Sequence, residues 1–383
     1  MQKAAAVLIA AATLLAAGFA VVAERSRGLV VHEWGTFTTV AGLGGEALAW
    51  RPLERPDPLP SFVGTIAGRF KGDLTARVRM ETPVVYFYSD RDVDAAVRVG
   101  FPGGRITEWF PAAAVGAETI AWPLVRVRPD SREVFPFSDD DDGSHYYRAR
   151  DTDAAPLEVP RPDGASEHEK FLFYRGAGDF PVPLRARLDA GSGSVAIENA
   201  CDEPIGGIFV FEREGDRVSF TEPFGLGPRG GTAVARPAAP RDFEDLFAAL
   251  RASLVAAGLF EREARAMVET WRDEWFEEGL RCLYLVPRAV TDAVLPIEIE
   301  PAPASLERVL VGRIEIVTPR EVRALAGLAQ RLESADDAER GAAWNELREA
   351  HGRFAEPVLR VLRQARDRAR LNERIAAYSA EAR

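Results

Sequence analysis

The sequence contains few residues of the types that bind metal ions or form covalent cross-links. It has two cysteines, Cys201 and Cys282, and four histidines in 383 residues. Two cysteines exclude a cysteine-rich zinc module, and the histidines do not have the spacing of a helical H-E-x-x-H zinc site. In an oxidising compartment Cys201 and Cys282 can form a disulfide; as buried thiols they would stay separate. The sequence leaves both alternatives open.

Basic residues are also in deficit. The chain has 48 Lys and Arg against 59 Asp and Glu, a formal net charge of −11. A nucleic-acid partner is therefore not expected, because such a partner requires a basic surface that displaces counterions. Residues 225–230 read GLGPRG, but Pro228 interrupts this glycine motif and no helix is predicted after it, so no nucleotide cofactor is expected. The negative charge favours a cation, a cationic partner or a neutral glycan.

Long hydrophobic runs are absent apart from one, at residues 4–23. Lys3 precedes this run, and Val21 and Ala23 occupy the −3 and −1 positions of a signal-peptidase site. Residues 1–23 are therefore predicted to be a signal peptide, and the protein to be exported to the periplasm or the cell exterior. A retained anchor helix is the alternative, since the run is long enough to span a bilayer. No transmembrane span is predicted after removal of the signal peptide.

Residues 24–240 have the pattern of a β-rich domain. Runs rich in β-branched and aromatic residues, such as 29–40, 82–89 and 206–214, alternate with clusters of Gly, Pro and Asp. Many short strands separated by turns predict an antiparallel, sandwich-like sheet. A long polar stretch at 139–169 interrupts this pattern and is predicted to be a loop.

The pattern changes to helical at Asp242. Residues 241–319 are predicted to form a helical pair, the second helix ending at Gly279, followed by returning strands. Residues 320–383 are predicted to be a C-terminal helical segment. The fold class is therefore α+β, mainly β; whether the returning strands join the first sheet is open.

Several side chains are candidates for catalysis. His32 and Glu33 are adjacent on a predicted strand and should point to opposite faces, so they cannot act together without a bulge. A hydrolase site could instead combine some of the candidates that lie far apart in sequence. These candidates are His32, Glu81, His168, Glu277 and Glu278.

The polar loop supplies two further candidates. Asp140, Asp142 and Gly143 partly resemble a calcium-binding loop, although no Glu stands at the position of its bidentate ligand. Tyr146 and Tyr147 follow, beside His145, and are the aromatic residues expected to be exposed for ligand binding. The cofactor is therefore unknown, with calcium or a transition metal as the candidates.

Six segments together resemble an uncharacterised family of exported bacterial proteins. The family has a VHEWGTFT-type N-terminal motif and a WFEEGLR-type helix end, and no established activity. The resemblance implies an exported, β-rich protein and does not assign a site. The matching segments are VHEWGTFT (31–38), METPVVYFY (80–88), RITEWFP (105–111), FLFYRG (171–176), AMVETWRDEWFEEGLRCLYLVP (266–287) and RVLVGRIEIVTP (308–319).

These observations favour a ligand-binding, partner-binding or structural protein over an enzyme. Its ligand or protein partner is not identified by the sequence. An exported hydrolase that depends on a metal ion or on carboxylates is the alternative. Glu277 and Glu278 belong to the best carboxylate cluster in the sequence, which either pairs with nearby arginines or binds a cation or a substrate amine.

Overall fold

The computed structural model describes residues 28–52, 59–66, 74–138, 144–189, 191–318, 321 and 325–367. Of the described residues, 40% are in strands and 25% in helices, with several antiparallel sheets and a few helices. This confirms the predicted α+β, mainly β class. The predicted signal peptide, residues 1–23, lies outside the described residues, as does the acidic run 139–143.

The described residues form nineteen strands. In chain order they are β1 (Val30–Ala41), β2 (Gly64–Thr65), β3 (Val78–Tyr88), β4 (Val93–Gly100), β5 (Gly104–Phe110), β6 (Ala114–Val115), β7 (Thr119–Val127), β8 (Leu157–Pro160), β9 (Ser166–Glu169), β10 (Leu172–Gly178), β11 (Leu184–Leu188), β12 (Ser194–Asn199), β13 (Ile205–Glu214), β14 (Arg217–Phe220), β15 (Phe224–Leu226), β16 (Gly231–Ala235), β17 (Gly279–Leu285), β18 (Ile297–Glu300) and β19 (Ser305–Ile316).

The largest sheet has the order β14-β13-β17-β19-β1-β3-β10-β5-β2, with β15 paired to β13. The returning strands β17 and β19 therefore join the first sheet. Neighbouring strands are antiparallel except β1 and β19, which pair in parallel along twelve residues. A bulge in the β1–β3 ladder lies at Gly35, where a Cβ atom would be 2.9 Å from the Cα atom of Pro83.

Two smaller sheets cover one face of the large sheet. One has the order β18-β4-β7-β8-β9, with β6 paired to β7, and the other has the order β11-β12-β16. The core between the large sheet and the two smaller sheets is apolar. It includes Val31, Trp122, Val195 and Leu310. Both faces of the central strands are buried, so charged residues of these strands such as Glu33, Arg79 and Arg313 are buried as well.

Two helices, Phe243–Ala256 and Glu261–Trp275, cover the opposite face of the large sheet. The first begins after Asp242 as predicted, and its buried residues recur at helical spacing. The described helices are α1 (Phe243–Ala256), α2 (Glu261–Trp275), α3 (Arg288–Val294), α4 (Ala326–Leu332), α5 (Asp337–His351) and α6 (355–367), with short 3₁₀ helices at His145–Arg150 and Gly352–Phe354. None is long and apolar enough to cross a bilayer.

Two predicted elements differ from the structure. Helix α2 ends at Trp275, not at Gly279, because the guanidinium of Arg281 donates hydrogen bonds to the carbonyl oxygens of Trp275 (2.8 Å) and Glu278 (2.7 Å). The polar stretch 139–169 is not a simple loop: it contains β8, β9 and the 3₁₀ helix His145–Arg150. Tyr146 and Ala149 of that helix are buried, and Asp151 beyond it pairs with Arg262 and Arg265 of α2.

Candidate functional site

Glu277 and Glu278 lie at a cleft between the large sheet and the C-terminal helices. The cleft has a volume of about 410 Å³. Strands β17 and β19 form one wall, and the end of α5 with the following 3₁₀ helix forms the other. The lining residues are Val40, Glu277, Glu278, Gly279, Leu280, Glu315, Ile316, Val317, Glu321, Glu349, Ala350, His351, Gly352, Phe354 and Val358.

Carboxylates dominate the polar part of this cleft. Five glutamates line it, and two buried guanidinium groups lie behind one wall. Arg313 is 2.7 Å from a carboxylate oxygen of Glu277 and 2.6 Å from one of Glu315, while Arg281 is 2.8 Å from the same Glu315 oxygen. Burial lowers the pKa of Arg281 to about 10, although Glu315 opposes this shift, so Arg281 stays protonated at neutral pH. Negative charge is therefore in excess.

Two of the glutamates have no arginine partner for their carboxylates among the described residues. The carboxylate of Glu278 accepts hydrogen bonds from the backbone N–H of Gly215 at 2.9 and 3.1 Å. Glu349 is exposed and forms no ion pair with a described residue. The concave walls have a low dielectric constant and concentrate the electric field of these carboxylates at the opening. The cleft therefore attracts cations.

His351 lines the same cleft and responds to its burial. Burial lowers the pKa of His351 below its ordinary value, while Glu321 opposes the shift. The imidazole is therefore mainly neutral at neutral pH and adds little positive charge. The remaining lining is apolar and includes Leu280, Ile316 and Phe354. The cleft thus combines anionic groups with a surface suited to hydrocarbon.

His32 forms a second polar centre, between β1 and α2. Its imidazole Nδ1 is 2.7 Å from Oε2 of Glu263, and the two residues are 2% and 0% exposed. The same Oε2 accepts a hydrogen bond from the backbone N–H of Phe260 (2.9 Å) at the start of α2. Oε1 of Glu263 is buried and has no hydrogen-bond partner among the described residues. Glu263 therefore caps the helix and orients His32.

Aromatic rings surround this pair. The His32 ring centroid lies 4.5 Å from that of Phe260 and 5.4 Å from that of Tyr88. Burial raises the pKa of Tyr88, and the adjacent Glu263 raises it further, so Tyr88 stays protonated. His32 makes no second hydrogen bond to the described residues, which leaves its Nε2 free. A carboxylate-oriented imidazole with a free Nε2 is the arrangement of a general base.

Glu33 points to the opposite face of β1, as predicted from strand periodicity. It forms a fully buried ion pair with Arg308 (2.5 Å) and accepts a hydrogen bond from the hydroxyl of Tyr174. Burial lowers the pKa of Arg308, but Glu33 and Tyr174 more than offset it and the net pKa is raised. Glu33 and His32 therefore belong to separate sites.

The predicted hydrolase residues do not share one pocket. Glu81 is buried, accepts a hydrogen bond from Thr38 Oγ1 (2.8 Å) and pairs with Arg79 (3.3 Å). His168 lies opposite Glu158 in the six-stranded sheet. The acidic cleft contains Glu277 and Glu278 but is not lined by His32, Glu81 or His168.

The residue beside Glu81, Thr82, has a positive φ of 47°, and its hydroxyl accepts a hydrogen bond from Arg175 at 3.1 Å.

The two tyrosines predicted to bind ligand are held within the structure. Tyr146 is buried, and its hydroxyl donates to Glu169 at 3.0 Å; Arg150 pairs with the same carboxylate at 2.6 Å. The ring of Tyr146 is therefore not exposed to solvent, as the predicted ligand binding would require. Tyr147 is half-buried, and its hydroxyl accepts a hydrogen bond from the backbone N–H of Ser138 at 3.0 Å.

The metal and disulfide predictions have different outcomes. Asp140 and Asp142 lie outside the described residues, so the calcium site stays a prediction. Among the described residues no group of three or more His, Cys, Asp or Glu side chains is arranged to hold a metal ion. Cys201 and Cys282 are both free thiols, one half-buried and one buried, so the disulfide alternative is not formed.

The most informative partners were missed by the sequence reasoning. Glu263, Arg308, Glu315 and Glu349 were not candidates, because only the packing of distant segments places each of them at its site. Glu263 stands at the third helical position, where a capping glutamate is expected, but Phe260 lacks the hydroxyl that usually marks a capping box. No protein-family model and no curated protein matches the sequence.

Proposed function

We propose that this protein binds organic cations in the acidic cleft, with an amine or guanidinium group on a hydrocarbon body as the recognised chemistry. One observation carries the proposal: five glutamates and an apolar wall line a single cleft of about 410 Å³. That volume lies within the range of ligand pockets, about 300–1,000 Å³. Glu278 and Glu349 would contact the cationic ends, and Leu280, Ile316 and Phe354 the hydrocarbon.

The sequence supports an extracytoplasmic setting for this binding. Residues 1–23 have the pattern of a signal peptide, and the segments that resemble a family of exported proteins support the same setting. We infer that the protein is exported and meets its ligand in the periplasm or outside the cell. The net charge of −11 adds long-range attraction for a cation, an effect that salt screens.

Calorimetry with two ligands of equal length tests the proposal. Hexamethylenediamine carries two ammonium groups, and hexanediol carries two hydroxyls on the same chain. The diamine should bind with an affinity that falls as salt rises, and the diol should not bind. Glu349→Gln and Glu278→Gln should each weaken diamine binding by about tenfold, the equivalent of one lost charge contact. Glu346→Gln, on the same helix as Glu349 but outside the cleft lining, is the control.

Two results would remove this function. One is equal binding of diamine and diol, which would show that charge is not recognised. The other is diamine binding that Glu346→Gln weakens as much as Glu349→Gln does, which would show attraction to the overall charge alone. Elemental analysis of protein purified without chelator accompanies the titration, because bound calcium would direct attention to Asp140 and Asp142.

Hydrolysis at His32 is a second candidate function, favoured by the free Nε2 of a carboxylate-oriented imidazole. In this reaction Nε2 takes a proton from water while the water oxygen bonds to the carbonyl carbon of an ester. The imidazolium then gives a proton to the leaving oxygen as the C–O bond breaks. Phe260, at 46% exposure, lies beside His32 and would contact the ester.

Chromogenic ester hydrolysis tests this second function. His32→Gln should abolish the rate, and Glu263→Gln should reduce it because the imidazole loses its charged partner. His145→Gln, in the 3₁₀ helix, controls for nonspecific hydrolysis by histidine side chains. A rate that is unchanged in His32→Gln would eliminate the catalytic role, and cation binding in the cleft would be unaffected by that outcome.

A further inference from the structure

Strand β16 is the outer strand of the three-stranded sheet. Among the described residues it pairs on one side only, with β12. Four of its five residues are exposed, and Val234 is half-buried. The sequence GTAVA contains no charge and no proline. An exposed strand of this composition presents unpaired backbone N–H and C=O groups that can accept another strand.

The outer strands β11, β18, β9, β2 and β14 are protected against such pairing. Strand β11 carries Arg185 and Arg187, β18 alternates Ile with Glu, and β9 reads SEHE. Strand β2 has two residues, and the edge of β14 is partly covered because the N–H of Arg241 donates to the carbonyl of Val218 (2.8 Å). Charges, short length and cover are the usual protections of a sheet edge. Strand β16 has none of these protections apart from its modest length.

The register of β16 determines which backbone groups face outward. The N–H of Asn199 donates to the carbonyl of Gly230 at 2.8 Å, so these two residues form a hydrogen-bonded pair. Hydrogen-bonded pairs alternate along an antiparallel ladder, which places Thr232 and Val234 toward β12. The N–H and C=O groups of Gly231, Ala233 and Ala235 therefore point away from the sheet.

We infer that β16 pairs with β16 of a second copy of this chain, antiparallel and about a two-fold axis at Ala233. The outward groups are spaced symmetrically around this residue. The axis brings Ala233 opposite its own copy and Gly231 opposite Ala235 of the other copy. All six outward groups of each strand then find partners, which gives six hydrogen bonds. The two three-stranded sheets become one six-stranded sheet.

Side-chain size and charge are compatible with this pairing. The outward-bonding residues are Gly and Ala, so their side chains do not obstruct the approach of a second strand. The basic residues at the two ends are neutralised within their own chain: Arg229 pairs with Asp202 and Arg236 with Glu212. The interface is short, however, and interfaces of small area form transient complexes. The dimer should therefore dissociate on dilution.

Sedimentation velocity of the full chain over a hundredfold concentration range tests the inference. The wild type should shift from monomer to dimer with rising concentration. Ala233→Lys places two ammonium groups side by side at the axis and should weaken association by about tenfold or more. Ala342→Lys, at an exposed position of α5, adds the same charge elsewhere and should associate like the wild type.

A second variant distinguishes the backbone edge from the added charge. Ala233→Pro removes one outward N–H and leaves the β12 ladder intact, because Thr232 and Val234 supply that ladder. It should also weaken dimerisation, with an unchanged circular dichroism spectrum. If either variant fails to fold, the other retains the test. A wild type that stays monomeric at every concentration, or variants that dimerise as strongly as the wild type, would overturn the inference.

Discussion

His32 and Glu263 lie 231 positions apart in the chain, yet Nδ1 of the imidazole is 2.7 Å from Oε2 of the buried carboxylate. The bond joins the central strand β1 to the first turn of α2. Because the same oxygen accepts the N–H of Phe260, one carboxylate fixes where the helix begins and where it rests on the sheet.

Removing this carboxylate should destabilise the protein. Glu263→Ala leaves the His32 Nδ1 buried without a partner and removes a helix cap, a combined cost of about 2–4 kcal/mol. Glu263→Gln keeps an acceptor oxygen and should cost about 1 kcal/mol. Urea denaturation measures both values. Glu261→Ala, exposed in the same helical turn, is the control, and an equal loss in that variant would contradict the role of the His32 bond.

The buried pair of Glu33 and Arg308 should be strongly coupled. Arg308→Met leaves the Glu33 carboxylate buried without its cation, and we expect a loss of about 3–5 kcal/mol in the free energy of unfolding. Glu33→Gln combined with Arg308→Met should be less destabilising than the sum of the two single changes. A double-mutant cycle by urea denaturation measures this difference. Strict additivity would show that the two groups contribute independently.

Cation binding in the cleft should weaken as pH falls. The pKa of His351 is lowered by burial, so folding favours its neutral form. Neutral His351 therefore contributes to the free energy of unfolding above the ordinary histidine pKa of about 6.5. This contribution is lost as the pH falls through the lowered pKa that His351 has in the folded protein. Protonated His351 also repels a bound ammonium group. His351→Asn should therefore flatten the pH dependence of hexamethylenediamine affinity, measured by calorimetry; an unchanged profile would exclude His351 as the titrating group.

The two thiols should differ in reactivity. Burial raises the pKa of Cys282 to about 12, so little thiolate forms and reagents cannot reach it. Cys201 is half-buried. A thiol-reactive chromophore should label one cysteine in the native protein and two in denaturant, and Cys201→Ser should abolish the native signal. Failure to label either cysteine in denaturant without reductant would reveal a disulfide.

Local sequence patterns predict local structure in this protein well. Period-two alternation correctly separates His32 from Glu33, and apolar spacing after Asp242 correctly locates the first helix. The end of the second helix is predicted at the wrong residue, because Gly279 is the helix-ending residue that stands out in the sequence. The actual end involves Arg281, whose guanidinium donates a hydrogen bond to the Trp275 carbonyl from strand β17 of the large sheet.

The composition of the sites is harder to predict. Glu277 and Glu278 stand out in the sequence as adjacent carboxylates, but the cleft also needs Glu315 and Glu349, which strand and helix packing bring to the same opening. Glu263 reaches His32 only through the position of α2 on the sheet. A short sequence window does not contain this information, because the contacts join segments more than 30 residues apart.

The parallel pairing of β1 with β19 has a consequence for the order of events during synthesis. These two strands form the seam between two halves of the large sheet, one built from residues before position 180 and the other from residues after position 204. Contacts between distant segments form slowly, since a long loop must close first. Until residues 305–316 emerge from the ribosome, β1 is an edge strand. Nearly all of its twelve residues are buried in the folded protein. The nascent chain therefore depends on the last of its described strands to cover the edge that the first described strand leaves unpaired.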